Sequence, residues 1–176
     1  MGKRHKNGRQ AVHFFKLSGL PNIRAVRGVN VSHVFQRHVH EGFCIGAVTR
    51  GSRVLRYGDA EIIIPGKGLF VINPGEAHAC KSGDQEHSYL ILSIPAAVMQ
   101  AVASQISGRA QPVPHFKNIP IYDAELYLKI KCFFMLIDKT CSELERESFL
   151  LSLLSVLILR HTEASPRLRA LDVHDR

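Results

Sequence analysis

Residues 37–51 read RHVHEGFCIGAVTRG, and residues 65–78 read PGKGLFVINPGEAH. In the first stretch His38 and His40 are one residue apart, and side chains along a β-strand return to the same face every second residue. In the second stretch two Pro-Gly pairs suit tight turns, and the later pair places His78 at the start of a strand. The two stretches therefore predict three imidazoles that point toward one interior.

The sequence around these motifs alternates between short apolar runs and turn residues. Six runs have the length and composition of strands, at residues 23–31, 43–49, 53–57, 61–65, 69–73 and 87–94. Glycine, proline, asparagine or aspartate separates most of them, and no helical period intervenes. This spacing predicts an antiparallel barrel or sandwich rather than alternating strands and helices.

Helices are predicted after Pro95, at residues 96–106, 124–140 and 143–160. Ser142 with Glu145 forms a capping-box pattern at the start of the last helix. That helix is apolar on nearly every side, so we expect it to form a dimer interface, with a fully buried core helix as the alternative. The predicted interface residues are Leu150, Leu153, Leu154, Leu157 and Ile158.

Composition indicates an ordinary globular chain, with 45% hydrophobic and 22% charged residues among 176. The sequence contains no run of about 18 uncharged apolar residues, so no membrane span is predicted. The N-terminus is not followed by the apolar core of a signal peptide. The four cysteines form no CxxC pair, which is typical of reduced thiols in a cytosolic protein. A cytoplasmic location is therefore expected.

The net charge of +8 is due to an excess of basic residues in the N-terminal part of the chain. Residues 1–40 contain eight Lys or Arg and no acid, so the remaining chain has fifteen basic residues (23 minus 8) against fifteen acidic ones. A neutral body lacks the broad positive face that drives phosphate binding. We expect residues 1–22 to form a basic, mobile arm, and we do not expect this chain to bind DNA by itself.

The histidine motifs resemble those of the cupin barrel family, in which His-x-His and a later histidine hold a metal with a carboxylate. The carboxylate is expected four or five residues after the second histidine, where this sequence has Cys44 or Ile45. We therefore predict no metal and no cofactor. Two alternatives remain, a small metal-dependent cupin enzyme and structural histidines that are satisfied by backbone groups.

A closer resemblance, to the N-terminal sensing domain of AraC-family transcription regulators, covers residues from about 24 to 161. It is carried by His38-x-His40-x-x-Phe43-x-Ile45-Gly46, by Pro65-Gly66-x-Gly68 and by Asn73-Pro74-Gly75-Glu76-x-His78. The resemblance implies an α+β fold, a jelly-roll β-barrel followed by C-terminal helices, that binds a small effector and forms a homodimer. It also implies that DNA is contacted only through a helix-turn-helix domain beyond this sequence.

The expected organisation is an arm at residues 1–22, a barrel at 23–95, a helical extension at 96–163 and a linker at 164–176 toward the DNA-binding domain. A sensing module without catalysis is the leading hypothesis, and a dimeric scaffold without ligand is a third possibility. The predicted effector-lining residues are His38, His40, Ile45, Tyr57, His78, Cys80 and Tyr89. Phe14 and Phe15 are predicted to form a lid over the effector, with an arm packed permanently on the barrel as the alternative.

Overall fold

The computed structural model describes residues 9–83, 85–117, 119–137 and 141–167. Within them, nine strands precede three helices: β1 (Ala11–Lys16), β2 (Arg24–Val31), β3 (Phe35–His38), β4 (Phe43–Arg50), β5 (Ser52–Tyr57), β6 (Ala60–Pro65), β7 (Leu69–Ile72), β8 (His78–Ser82), β9 (His87–Ile94), α1 (Ala96–Ser107), α2 (Ala124–Ile137) and α3 (Glu143–His161). The predicted α+β class, strands first and helices after, is confirmed.

The strands form two antiparallel sheets that face each other. The five-stranded sheet has the order β1-β2-β9-β4-β7, and the four-stranded sheet has the order β3-β8-β5-β6. Most neighbours in these orders are distant in sequence, as in β2 with β9 and β3 with β8. Such crossed connections are typical of a jelly roll, in which the space between the sheets becomes the interior of a barrel.

Strands β4, β7 and β9 of the five-stranded sheet are largely buried on both faces, and alternate residues of these strands belong to different clusters. Along β4, Ile45 and Ala47 pack toward the helices, whereas Cys44 and Val48 pack inside the barrel. All six residues from Phe43 to Val48 are buried, so β4 has no polar face. This is why hydrophobicity alone does not reveal which residues of β4 line the barrel.

The three helices cover the outer face of the five-stranded sheet and complete the larger core. Ser142 caps α3 by accepting from the Glu145 amide, and the Glu145 side chain accepts from the Ser142 amide, so the predicted capping box is confirmed. Phe133 of α2 stacks on Phe149 of α3, with ring centroids 6.4 Å apart. None of the described helices is long and apolar enough to span a bilayer.

The five residues of α3 that were predicted to form the dimer interface are not on the surface of the chain. All five side chains are at most 2% exposed within the single chain: Leu150, Leu153, Leu154, Leu157 and Ile158. They pack against the sheet and the other helices, as the alternative of a core helix requires. The apolar residues that α3 leaves exposed are others, chiefly Leu144 and Leu151 at 72% and 41% exposure.

The segment predicted to be a mobile arm, residues 1–22, contains a β-strand. Residues 11–16 form β1, which pairs with β2 over its whole length at the edge of the five-stranded sheet. The predictions made for residues 1–8 and for residues 168–176 lie outside the described residues.

Candidate functional site

A cavity of about 290 Å³ lies inside the barrel between the two sheets. Strands of both sheets contribute to its wall, and most of the side chains are apolar or aromatic. The lining residues are Val12, Phe14, Arg24, Val26, Phe35, His38, His40, Cys44, Arg53, Phe70, Ile72, His78, Cys80, Tyr89, Ile91 and Ser93. A concave, mainly apolar cavity with a few converging polar groups is the usual form of a small-molecule site.

The structure brings five of the seven predicted lining residues to this cavity: His38, His40, His78, Cys80 and Tyr89. Ile45 faces the helices instead, because the inner face of β4 carries Cys44, which lines the cavity, and Gly46, which faces the ring of Phe70. Tyr57 also lies away from the cavity wall. Burial and a hydrogen bond with Glu76 raise the pKa of Tyr57.

The predicted lid residues lie on opposite faces of β1. Phe14 lines the cavity and is 79% exposed, which suits a side chain at its mouth. Phe15 projects to the other face, where its ring meets Phe134 edge-on at 6.0 Å and lies under the guanidinium of Arg27. The lid hypothesis therefore continues with Phe14 alone, because a strand cannot direct adjacent side chains to one face.

Two glycines make room for aromatic side chains of the cavity wall. A Cβ at Gly46 of β4 would overlap the ring of Phe70, and a Cβ at Gly28 of β2 would overlap the ring of Tyr89. Both rings lie in the barrel, at 1% exposure each. Because neither glycine has a side chain, the rings of Phe70 and Tyr89 can lie directly against the backbone of β4 and β2.

His38, His40 and His78 form a cluster at one end of the cavity. Their ring centroids are 4.3–5.1 Å apart, and one nitrogen of each lies within 4.8 Å of the others. Nδ1 of His38 lies 2.6 Å from the Gln36 carbonyl, and Nδ1 of His78 lies 3.1 Å from the Glu76 carbonyl. A carbonyl only accepts, so these Nδ1 atoms donate and leave the Nε2 lone pairs available.

Burial favours the neutral form of two histidines of this cluster, His78 and His40. It lowers the pKa of His78 to about 4, assisted by the neighbouring imidazoles and Arg53 and opposed by the bond to Glu76. It also lowers the pKa of His40, again with a contribution from His38. Neutral imidazoles with free lone pairs can accept hydrogen bonds from a ligand hydroxyl or ligate a metal ion.

The donor set fits a metal ion with three nitrogen ligands. The cluster contains no carboxylate among the described residues. Cys44, at the position where a carboxylate is expected from the cupin pattern, does face the cavity. Burial raises its pKa to about 12, so it remains a neutral thiol rather than a thiolate ligand.

Arg53 is a buried, charged residue of the site that was not predicted from the sequence. It lies on β5, is 3% exposed and lines the cavity. Its Nη1 lies 3.2 Å from Nε2 of His87, and because guanidinium only donates, His87 must accept. Nδ1 of His87 is correspondingly the protonated nitrogen and lies 3.1 Å from the Val31 carbonyl.

Comparison with known proteins establishes the family. The family model described as the AraC-like ligand binding domain matches residues 20–154, which include all of the barrel from β2 onward and most of the helices. The chain belongs to the AraC-like ligand-binding domain family. The predicted resemblance is thereby confirmed.

The AraC-like domain is also similar to one curated protein, the uncharacterized HTH-type transcriptional regulator YbfI of Bacillus subtilis (strain 168). The identity is 26% over 145 residues, which are 82% of this chain and 52% of that protein. The chain thus spans about half the length of this relative.

Among solved structures, the AraC-like domain is similar to a cupin superfamily protein of Desulfitobacterium hafniense, with a TM-score of 0.44 and 11% identity over 52% of this chain and 83% of that one. It is similar to KdgF from Halomonas sp. with a TM-score of 0.41 and 16% identity over 52% and 81% of the two chains.

Proposed function

We propose that this chain is the effector-sensing part of a transcription regulator and that a small molecule binds in the barrel cavity. The observation that carries the proposal is the cavity of about 290 Å³ inside the barrel, with aromatic walls and polar groups at defined positions. Family membership and the similarity to a transcriptional regulator, 52% of which is covered by the match, support the same function. The chain performs no catalysis in this proposal, because its work is to bind and to transmit occupancy to a DNA-binding domain elsewhere.

A ligand screen on the purified chain tests this proposal. Sugars, amino acids, organic acids and neutral aromatic compounds are assayed for concentration-dependent increases in melting temperature, since a ligand that binds only the folded state stabilises it. Ile91 lines the cavity, so Ile91→Trp should fill the cavity and abolish the shift caused by any hit. The control is Ile63→Trp, at a position that is 63% exposed on β6.

The screen has a result that contradicts the proposal. Hits that stabilise wild type and Ile91→Trp equally bind outside the cavity. A complete absence of hits would favour the third possibility, a scaffold without a ligand.

We also propose that the chain forms a homodimer, through residues other than those first predicted. The exposed apolar residues of the helices are Leu128 and Met135 on α2 and Leu144 and Leu151 on α3. On each helix the pair is seven residues apart, so its two members lie on one face. These four residues are the expected interface, and sedimentation velocity of variants at these positions tests it.

A second candidate function, metal-dependent chemistry, is favoured by the three-histidine cluster alone. His38, His40 and His78 would hold the ion, which would supply Lewis-acid activation of a bound ligand. Metal analysis of protein purified without a polyhistidine tag separates the candidates. We expect well below one equivalent per chain, whereas one equivalent that is lost on His38→Ala would support the enzyme.

A further inference from the structure

A buried arginine distinguishes the wall of this cavity. Arg53 and Arg56 lie three residues apart on β5 but have different surroundings. Arg56 is on the outer surface and pairs with Glu61 at 3.0 Å, with its side chain 65% exposed. Arg53 is inside the barrel at 3% exposure, where charged side chains are rarely found without an opposite charge.

The partners of Arg53 are neutral. Nη1 donates to His87 at 3.2 Å, and Nε is buried without a hydrogen-bond partner. Three aromatic rings surround the guanidinium carbon, with centroids at 5.3, 5.6 and 4.7 Å, in the order Phe35, Phe70 and Tyr89. These contacts hold the guanidinium in place, but they do not neutralise its charge.

No carboxylate compensates for Arg53 within the described part of the chain. The ion pairs formed there all involve other cations. The residues lining the cavity include two arginines and three histidines but no aspartate or glutamate. A buried cation normally has an anionic partner, and the cavity beside Arg53 is where one can be accommodated.

We propose that the effector is a small organic acid whose carboxylate pairs with Arg53 and whose apolar body lies against the surrounding aromatic rings. This inference rests on the proposed effector-binding function and narrows its ligand class. The guanidinium fork matches the two oxygens of a carboxylate, and Nε belongs to one of the edges that can form such a pair. A cavity of about 290 Å³ is at the small end of ligand sites, which limits the acid to a compact one.

The test uses matched pairs of an acid and its neutral amide, measured on the purified chain by calorimetry and melting temperature. The probes are benzoate with benzamide, phenylacetate with phenylacetamide, and isovalerate with isovaleramide, with inorganic phosphate as a further anion. We expect at least one acid to bind wild type at least tenfold more tightly than its amide. Phosphate should not bind comparably, because it has no apolar body for the aromatic wall.

Variants at the two arginines of β5 locate the interaction. Arg53→Met keeps the length of the side chain and removes the charge, and it should weaken the acid at least tenfold while changing the affinity for the amide by less than threefold. Arg56→Met is the matched control and should bind like wild type. If Arg53→Met does not fold, Arg53→Lys should retain a preference for the acid but bind it more weakly, because it keeps the charge and loses the fork.

The outcomes separate this inference from the proposed function. Equal binding of acid and amide, or unchanged acid binding by Arg53→Met, overturns the carboxylate assignment. Cavity binding by neutral sugars alone would preserve the effector-sensing function and refute the inference. Failure of every acid at millimolar concentration would also refute it.

Discussion

Arg53 is hydrogen-bonded to a second buried polar residue, His87. His87 accepts from Arg53 and is held by the Val31 carbonyl and the Ser82 hydroxyl, at 3.1 and 2.8 Å. Burial, followed by the charge of Arg53, lowers the pKa of His87 to about 4. A protonated His87 would lose its role as acceptor and place a second positive charge beside the guanidinium.

Acid should therefore destabilise the fold through His87. The unfolded state takes up the proton near pH 6.5, but the folded state does so only near pH 4. The contribution is present above pH 6.5 and is lost as the pH falls toward 4. One pKa unit corresponds to about 1.4 kcal/mol, so about 2–3 kcal/mol of unfolding free energy is at stake. Urea unfolding at pH 7 and pH 4.5 measures it.

The variant His87→Gln provides the check on this pH dependence. It retains a side chain that can hydrogen-bond but cannot be protonated, so its stability should fall less between pH 7 and pH 4.5 than that of wild type. An equal fall in both proteins would assign the acid sensitivity to other groups.

Gly46 controls the aromatic wall of the cavity. Because a Cβ here would overlap the ring of Phe70, Gly46→Ala should push that ring into the cavity. We expect a loss of about 1–3 kcal/mol in the free energy of unfolding, as for other overpacked cores, together with loss of ligand binding. Gly66→Ala is the control, since its Cβ would meet only an ordinary contact with the Gly51 carbonyl. Retention of full ligand affinity by Gly46→Ala would contradict this role.

At the scale of single elements, one face of β1 contributes to the cavity through Phe14, and the other face packs on the helices through Phe15. Phe14→Ala should weaken ligand binding severalfold and leave the stability of the free protein nearly unchanged, because its side chain is 79% exposed. Phe15→Ala should instead cost about 1–2 kcal/mol of unfolding free energy, less than for a fully buried phenylalanine. Calorimetric titration and urea unfolding of both variants measure this. The reverse pattern would mean that the two faces are assigned wrongly.

Whether β1 moves as a lid is a separate question. An edge strand has only one neighbour and is expected to open more readily than the strands inside the sheet. Trypsin should cut after Arg9 or Lys16 in the free protein, and the effector should protect these sites. Equal cleavage with and without ligand would mean that β1 is a fixed edge of the sheet.

The sequence revealed some elements well and others not at all. The helices were predicted because a helical period, as in α2, and a capping box, as at the start of α3, are local signals. The strand β1 was missed because its residues were assigned to a mobile arm. The strands β3 and β8 were expected only through their histidines, because they are short and contain many polar residues, so only their pairing partners make them strands. Local patterns cannot supply pairing that joins distant parts of the chain.

The part of the candidate site that depends on local sequence features was predicted, and the part that depends on tertiary contacts was not. The spacing of His38 and His40 and the turn before His78 are local features, and the structure brings these residues together. Ile45 was misplaced because β4 is buried on both faces, which removes the alternation that would reveal its direction. Arg53 was missed because a charged residue in a strand is usually a surface residue, and its burial follows from tertiary contacts alone.

At the scale of the whole molecule, two leucines of α3 distinguish folding from assembly. Leu154 is fully buried in the chain, so Leu154→Glu should unfold it, at a cost above about 4 kcal/mol. Leu151→Glu should preserve the fold, because the residue is 41% exposed, and should convert the expected dimer to monomer. Sedimentation velocity with circular dichroism measures both. A wild-type monomer at high concentration would rule out the dimer.

The most direct test of the effector-sensing account is a heteronuclear NMR titration of the chain with a hit from the ligand screen. The account predicts that amides on β5, β8 and β9 around the cavity shift together with those of β1, and that saturation occurs at one ligand per chain. The exposed face of α3 should shift little. Saturable shifts confined to the outer surface, with the amides around Arg53 and Tyr89 unmoved, would contradict the claim that the barrel holds the effector.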